Sequence, residues 1–166
     1  MKPILFLDFD GVLNDARYLN SDAAWRERKL ARARGQDLLL HALDLDPRRI
    51  EVLNDIVRRT GAMVVVHSSW RLSHDADELF DMLKLRGFRG VMGGVCDPEI
   101  RNRADAIRAF LADLGPARHS LRFAVVDDED LRDEPIVGPR FVLMGMHSED
   151  ALGARHVERL VELLGG

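Results

Sequence analysis

Short apolar runs recur along the chain, separated by segments of helical period. Ile4–Leu7 is a continuous apolar run of the kind that a strand buried on both faces requires. Met63–Val66 repeats the pattern after Gly61, and Phe123–Val126 repeats it after a polar stretch. Val91–Val95, broken by glycines, and Phe141–Leu143 are weaker strand candidates. Between these runs, Asp46-Pro47 reads as an N-cap followed by proline at the first helical position, with Ile50, Leu53, Ile56 and Val57 on one face and Gly61 as the stop. Ser73 is expected to cap a second helix carrying Leu79, Phe80 and Leu83, ended by Gly87. Asn102 is expected to cap a third, with Ala106, Ile107, Phe110, Leu111 and Leu114 inside and Gly115 at its end. Ser148 is expected to open the last, whose buried stripe is Val157, Leu160, Val161 and Leu164. Strand–helix alternation of this kind predicts parallel strands joined by right-handed crossovers, hence a single three-layer α/β domain over residues 1–166.

One stretch breaks the alternation. Residues from about 14 to 45 separate the first strand from the helix that returns to the sheet, and they read as a small insertion near the mouth of the domain. The stretch carries Arg26, Arg28, Lys29, Arg32 and Arg34 beside Trp25. On a helix, Arg28, Lys29 and Arg32 share a face with Trp25. A solvated surface face accounts for such cations; a polyanionic substrate, a nucleotide or a nucleic-acid end, accounts for both the charge and the aromatic ring.

Composition narrows the field. A chain of 166 residues with 46% hydrophobic and 31% charged residues is globular and long enough to bury a core. Its 24 Lys and Arg against 28 Asp and Glu disfavour a generic clamp for duplex DNA. The lone Cys96 excludes an internal disulfide framework and a cysteine-rich zinc site, and nothing around it marks it as a nucleophile. Four apolar residues after Met1-Lys2-Pro3 are too few for a signal-peptide core or a membrane span, so a cytoplasmic domain without membrane contact is the expectation. No Walker loop, G-x-G-x-x-G fingerprint or G-x-S-x-G elbow occurs.

The chemistry-bearing residues stand at the ends of the apolar runs, where a parallel α/β sheet binds its ligands. The first run ends in Asp8-Phe9-Asp10-Gly11-Val12 and the fourth in Asp127-Asp128-Glu129-Asp130. Asp8 and Asp10, two residues apart, repel unless a cation or a shared proton compensates; the second acidic group reads plainly as a solvated turn, but carboxylates at the ends of two different apolar strands make a hard oxygen-rich site suited to Mg²⁺. The second run ends in His67-Ser68-Ser69-Trp70-Arg71, where hydroxyls can hold a phosphoryl oxygen or simply satisfy backbone groups. His67 reads as a packed histidine, and Glu129 and Asp130 as solvated.

Asp8-Phe9-Asp10-Gly11-Val12-Leu13 after an apolar strand resembles the first motif of the haloacid dehalogenase-like (HAD) phosphohydrolase superfamily. The order of the remaining pieces agrees: a strand ending in serine, a helix carrying a cation, and a strand ending in paired aspartates. The resemblance spans about Ile4 to Leu143 and implies a Rossmann-like parallel sheet with a flap after the first strand. It implies Asp8 as nucleophile, forming an aspartyl-phosphate, and Asp10 as general acid/base. Ser68, with Ser69 almost equal to it, matches the phosphate-holding hydroxyl. Arg103 stands where the superfamily usually has lysine; Arg101 lies close by, and pairing of Arg103 with Asp105 or Glu99 is the plain structural alternative. Asp127 matches the main Mg²⁺ ligand beside Asp8, Asp128 a second ligand or an outer partner of the ligands, and Asp10 a ligand through its backbone carbonyl. Ser-Ser-Trp-Arg, the arginine-started third helix and the Asp-Asp pair are similar to small HAD domains of RNA-repair proteins. The expected function is a Mg²⁺-dependent phosphatase acting on nucleotides or nucleic-acid ends, with no obligate protein partner. The competing functions are a small-metabolite phosphatase and a non-catalytic phosphate-binding domain.

Overall fold

A computed structural model of the protein describes residues 1–147 and 149–165. The five apolar runs become β1 (Ile4–Leu7), β2 (Met63–Val66), β3 (Val91–Val95), β4 (Phe123–Asp127) and β5 (Phe141–Leu143). They form one all-parallel sheet in the order β3-β2-β1-β4-β5. The two-residue side-chain period explains why the central runs are apolar throughout. Leu5, Leu7, Val64, Val66, Ala124 and Val126 pack into one core, and Ile4, Phe6, Val65, Phe123 and Val125 into a second on the opposite face.

Helices α4 (Pro47–Thr60), α5 (Ala76–Leu85) and α7 (Ala154–Leu164) cover the first face through Leu53, Ile56, Leu79, Met82, Val157 and Leu160. Helix α6 (Arg103–Asp113) covers the second through Ala104, Ile107 and Leu111. This division follows from crossover geometry. The chain steps outward from β1 to β2 to β3 over one face; to return from β3 to β4 with the same hand it must cross over the other. The direction therefore reverses between β1 and β4, and a crevice opens there at the carboxyl ends of the strands.

Local signals set the helix ends. Asp46 Oδ1 accepts the Arg48 N–H at 2.9 Å, Pro47 starts α4, and Gly61 stops it at φ 67°. Asn102 Oδ1 likewise accepts the Asp105 N–H at 2.9 Å ahead of α6. Ser73 does not cap α5. A 3-10 turn over Ser69–Leu72 ends on Ser73, and Asp75 caps α5 in a reciprocal capping box with Glu78. Ser148 lies outside the described residues; α7 starts at Ala154 after Gly153 and buries the expected stripe of Val157, Leu160, Val161 and Leu164. Strand β3 forms a sheet edge, and its register against β2 shifts between Val64 and Val65, where Gly94 sits at φ 146°.

The stretch after β1 folds as three short helices, α1 (Ala16–Leu19), α2 (Asp22–Ala33) and α3 (Asp37–Ala42). Buried Tyr18 pins it: the hydroxyl donates to the Leu43 carbonyl at 3.0 Å and accepts from Arg86 at 2.6 Å. Arg86 itself lies just past α5 and also donates to the Leu45 carbonyl at 2.8 Å. Among the described residues no helix is long and apolar enough to cross a membrane.

Candidate functional site

Register and period assemble the site. Leu7 pairs with Val126 on one side and Val66 on the other, so the next residues, Asp8, Asp127 and His67, stand abreast. The Asp8 N–H extends the ladder to the Val126 carbonyl at 3.1 Å, and the His67 N–H to the Leu7 carbonyl at 3.1 Å. Counting by two from Phe6, Val125 and Val65 sends all three side chains to the α6 face. Oxygens of Asp8, Asp127 and Asp128 then lie within 4.8 Å of one another, with Asp8 and Asp127 fully buried.

Arg103, the first residue of α6, reaches into this cluster. Its guanidinium donates to Asp8 Oδ2 at 2.8 Å and to Asp127 Oδ1, stands 3.5 Å from Asp128 Oδ1, and places Nε 3.3 Å from Glu129 Oε2. It pairs with neither Glu99 nor Asp105, which instead binds Arg108, and Arg101 is exposed. Glu129 and Asp130 are both exposed, as expected, Glu129 pairing with Arg103 at the rim of the cluster and Asp130 with Arg132. Asp8 Oδ1 and Asp127 Oδ2 have no hydrogen-bond partner among the described residues. Burial and the neighbouring Asp8 charge push both Asp127 and Asp128 above the usual carboxylate range. An acidic cluster with two unpartnered buried oxygens fits a hard divalent cation.

His67 packs beneath Asp127. Burial, aided by the Arg103 charge, lowers its pKa to about 3, so the ring is neutral. Nε2 faces the Val126 carbonyl at 3.3 Å, which puts the proton there and leaves Nδ1 3.4 Å from Asp127 Oδ2.

The loop after β1 turns at Gly11 (φ 69°), where an added Cβ would come within 2.7 Å of Asp128 Cβ. Asp10, on that loop, is gripped at both oxygens: Asn14 Nδ2 donates to Oδ1 at 2.9 Å and Trp70 Nε1 to Oδ2 at 2.8 Å. Ser68 is buried, with Oγ 3.4 Å from the Trp70 N–H, while Ser69 is exposed. Buried Arg71 donates to the carbonyls of His67 at 2.6 Å, Ser68 at 3.1 Å and Ile100 at 2.6 Å, tying the end of β2 to the segment before α6. Sequence reasoning assigned no role to Asn14, Trp70 or Arg71. Their signal was adjacency alone, to Asp10 or to the paired serines.

Residues 4–151 match the family described as the HAD domain in Swiss Army Knife RNA repair proteins. The chain belongs to this family. No curated protein and no solved structure matches it. The match covers the sheet from β1 to β5; in the structure Asp8 follows β1, Ser68 lies just beyond β2, Arg103 starts α6 and Asp127 ends β4.

The basic residues of the insertion divide. Arg28 is committed to the fold, donating to Asp44 at 2.8 Å, to the Ala24 carbonyl at 3.2 Å and to the Leu19 carbonyl. Lys29 and Arg32 are exposed, and Lys29 Nζ lies 5.0 Å over the ring of Trp25, which is 59% exposed. Trp25, Arg28, Lys29 and Arg32 line a groove of about 440 Å³. Burial raises the carboxyl pKa of Asp44, against the lowering effect of Arg28. A second cavity, of about 510 Å³, opens at the opposite pole between Lys2, Arg58 and Arg89, and holds none of the strand-end carboxylates.

Proposed function

We propose that this HAD domain is a Mg²⁺-dependent phosphomonoester hydrolase that works through an aspartyl-phosphate on Asp8 and takes nucleotides or nucleic-acid ends. The observation that carries the reading is the convergence of Asp8, Asp127 and Asp128 around Arg103, with two buried oxygens unpartnered. Arg103 alone faces the carboxylates of Asp8, Asp127, Asp128 and Glu129, and a divalent ion would offset the surplus of negative charge. Asp8, Asp127 and Asp128, with the Asp10 carbonyl, would hold Mg²⁺, which supplies Lewis-acid polarisation and charge neutralisation when bound.

The chain's own groups do the rest. An Asp8 oxygen attacks phosphorus as the bond to the leaving oxygen breaks, and Asp10 delivers the proton that oxygen needs. Water then attacks the same phosphorus, Asp10 takes its proton, and the bond to Asp8 breaks to release phosphate. Arg103 offsets the repulsion between a carboxylate nucleophile and a phosphate dianion. It cannot titrate, so it serves as a fixed charge in both halves. The Ser68 hydroxyl, buried at the end of β2, is the phosphate-holding group we favour over exposed Ser69. The Trp25–Lys29–Arg32 groove supports a nucleic-acid substrate, because an exposed ring and flanking cations suit a base and its phosphates. Membership in a family of RNA-repair domains supports it too.

The test is hydrolysis of an aryl phosphate and of 3′- and 5′-phosphorylated oligonucleotides, with Mg²⁺ and with EDTA, for the native chain and Asp8→Asn. Turnover that needs Mg²⁺ and vanishes in Asp8→Asn is expected. Activity surviving in Asp8→Asn removes the covalent route, and no turnover of any ester leaves a phosphate-binding module.

A further inference from the structure

We propose that Trp70 and Asn14 are positioning residues that clamp the Asp10 carboxylate in its working orientation, a role that rests on the phosphohydrolase reading above. Asp10 is only partly buried and stands on a turn, where an unrestrained carboxylate samples several rotamers. Here each oxygen meets one fixed N–H donor, Asn14 Nδ2 at 2.9 Å and Trp70 Nε1 at 2.8 Å.

The donors are themselves held. The Asn14 side-chain oxygen accepts the Gly11 N–H at 2.9 Å, which sets the amide so that its nitrogen faces Asp10. The Trp70 ring stands edge-on to buried Phe9, centroids 5.3 Å apart and planes at 75°, and Phe9 lies between Asp8 and Asp10 in the chain. The Trp70 backbone N–H is directed at Ser68 Oγ. The indole therefore ties the β2 end that carries Ser68 to the β1 loop that carries both aspartates. Neither an indole nor a primary amide titrates in the working range, so both donors stay in place whether Asp10 is giving or receiving a proton. Each engages one lone pair and leaves the other open on each oxygen. A group that acts as acid in one half-reaction and base in the next must return to the same place, and a misplacement near 1 Å costs about a hundredfold in rate.

Trp70→Phe keeps a ring against Phe9 and removes the N–H together with part of the indole's packing area. The expected result is a roughly ten- to hundredfold fall in kcat, the range for losing one hydrogen bond to a charged group, with KM unchanged. Asn14→Ala should show the same split. In an Asp10→Ala background, followed by single-turnover phosphorylation from an aryl ester with a good leaving group, Trp70→Phe should have no further effect. A second readout needs no activity. The chain has two tryptophans and so two indole ¹H–¹⁵N signals, and Asp10→Ala should shift that of Trp70 and leave that of Trp25 in place. An unmoved Trp70 signal overturns the clamp. So does an equal loss in the Asp10→Ala background, or a raised KM with kcat retained, which would make Trp70 a substrate contact. Absence of turnover in the native chain refutes the phosphohydrolase reading instead, and the indole signal then decides on the clamp alone.

Discussion

Replacing Arg103 by methionine keeps most of the side-chain volume and deletes the guanidinium that Asp8 and Asp127 share. Both carboxylates are fully buried, and stripping one partner from a buried ion pair costs about 3–5 kcal/mol. Two effects reduce that here. The Arg103 side chain is 16% exposed, so water screens part of its field. Asp127, already held above the usual carboxylate range by burial and by Asp8, can also take up a proton. A loss of about 2–3 kcal/mol remains, which for a chain of this length lowers Tm by roughly 4–12 °C. That is the expectation in EDTA. In excess MgCl₂ a divalent ion replaces the missing charge at the same oxygens, and the gap between native and variant should shrink by at least half. Scanning calorimetry of both proteins in both buffers makes the comparison. Equal destabilisation with and without Mg²⁺, or none in EDTA, would refute the claim that these carboxylates converge on a cation-dependent centre.

Arg71→Met should destabilise the protein by about 2–3 kcal/mol, because the carbonyls of His67 and Ile100 lose their side-chain donor while that of Ser68 keeps the Arg71 backbone N–H; Arg71→Lys should not restore it, since one ammonium cannot span acceptors on separate elements. Urea denaturation measures both. Lys29→Ala combined with Arg32→Ala and Trp25→Ala should raise KM for a phosphorylated oligonucleotide roughly tenfold and much less for an aryl phosphate. Arg28→Ala should lower Tm instead, because its guanidinium holds Asp44 and the Leu19 carbonyl. Cys96 is fully buried and burial pushes its thiol up to about 12. The reactive thiolate is therefore absent from the native state at pH 8, and labelling by a disulfide reagent should follow unfolding, with no fast phase before it.

The three central strands were legible because each is a compact apolar run whose bounds are marked by turn residues or by charge, whereas the edge strands β3, broken by glycines, and β5 gave weaker signals. The same reading placed Asp46, Gly61 and Asn102 correctly at helix ends. Ser73 misled because two capping signals lie two residues apart, and only the 3-10 turn over Ser69–Leu72 decides that the aspartate and not the serine starts α5. The basic cluster was legible as a cluster but not as a division of labour. Arg28 and Lys29 are neighbours in sequence, yet the helical turn points one at Asp44 and the other across the Trp25 ring.

The same distinction of reach separates what could be foreseen in the site from what could not. Parallel pairing and a two-residue period fix direction as well as position, so aspartates in register at the ends of adjacent strands have to stand side by side on one face. Nothing comparable links Asp10 to Trp70. Their hydrogen bond depends on a 3-10 turn redirecting the chain after β2, on Phe9 bracing the ring, and on Gly11 bending the β1 loop back toward it. Each is an ordinary local event, and their product is a contact between residues sixty positions apart that no single period announces. The charges of such a centre can therefore be read from strand ends, whereas the groups that aim those charges emerge only when the loops close over them.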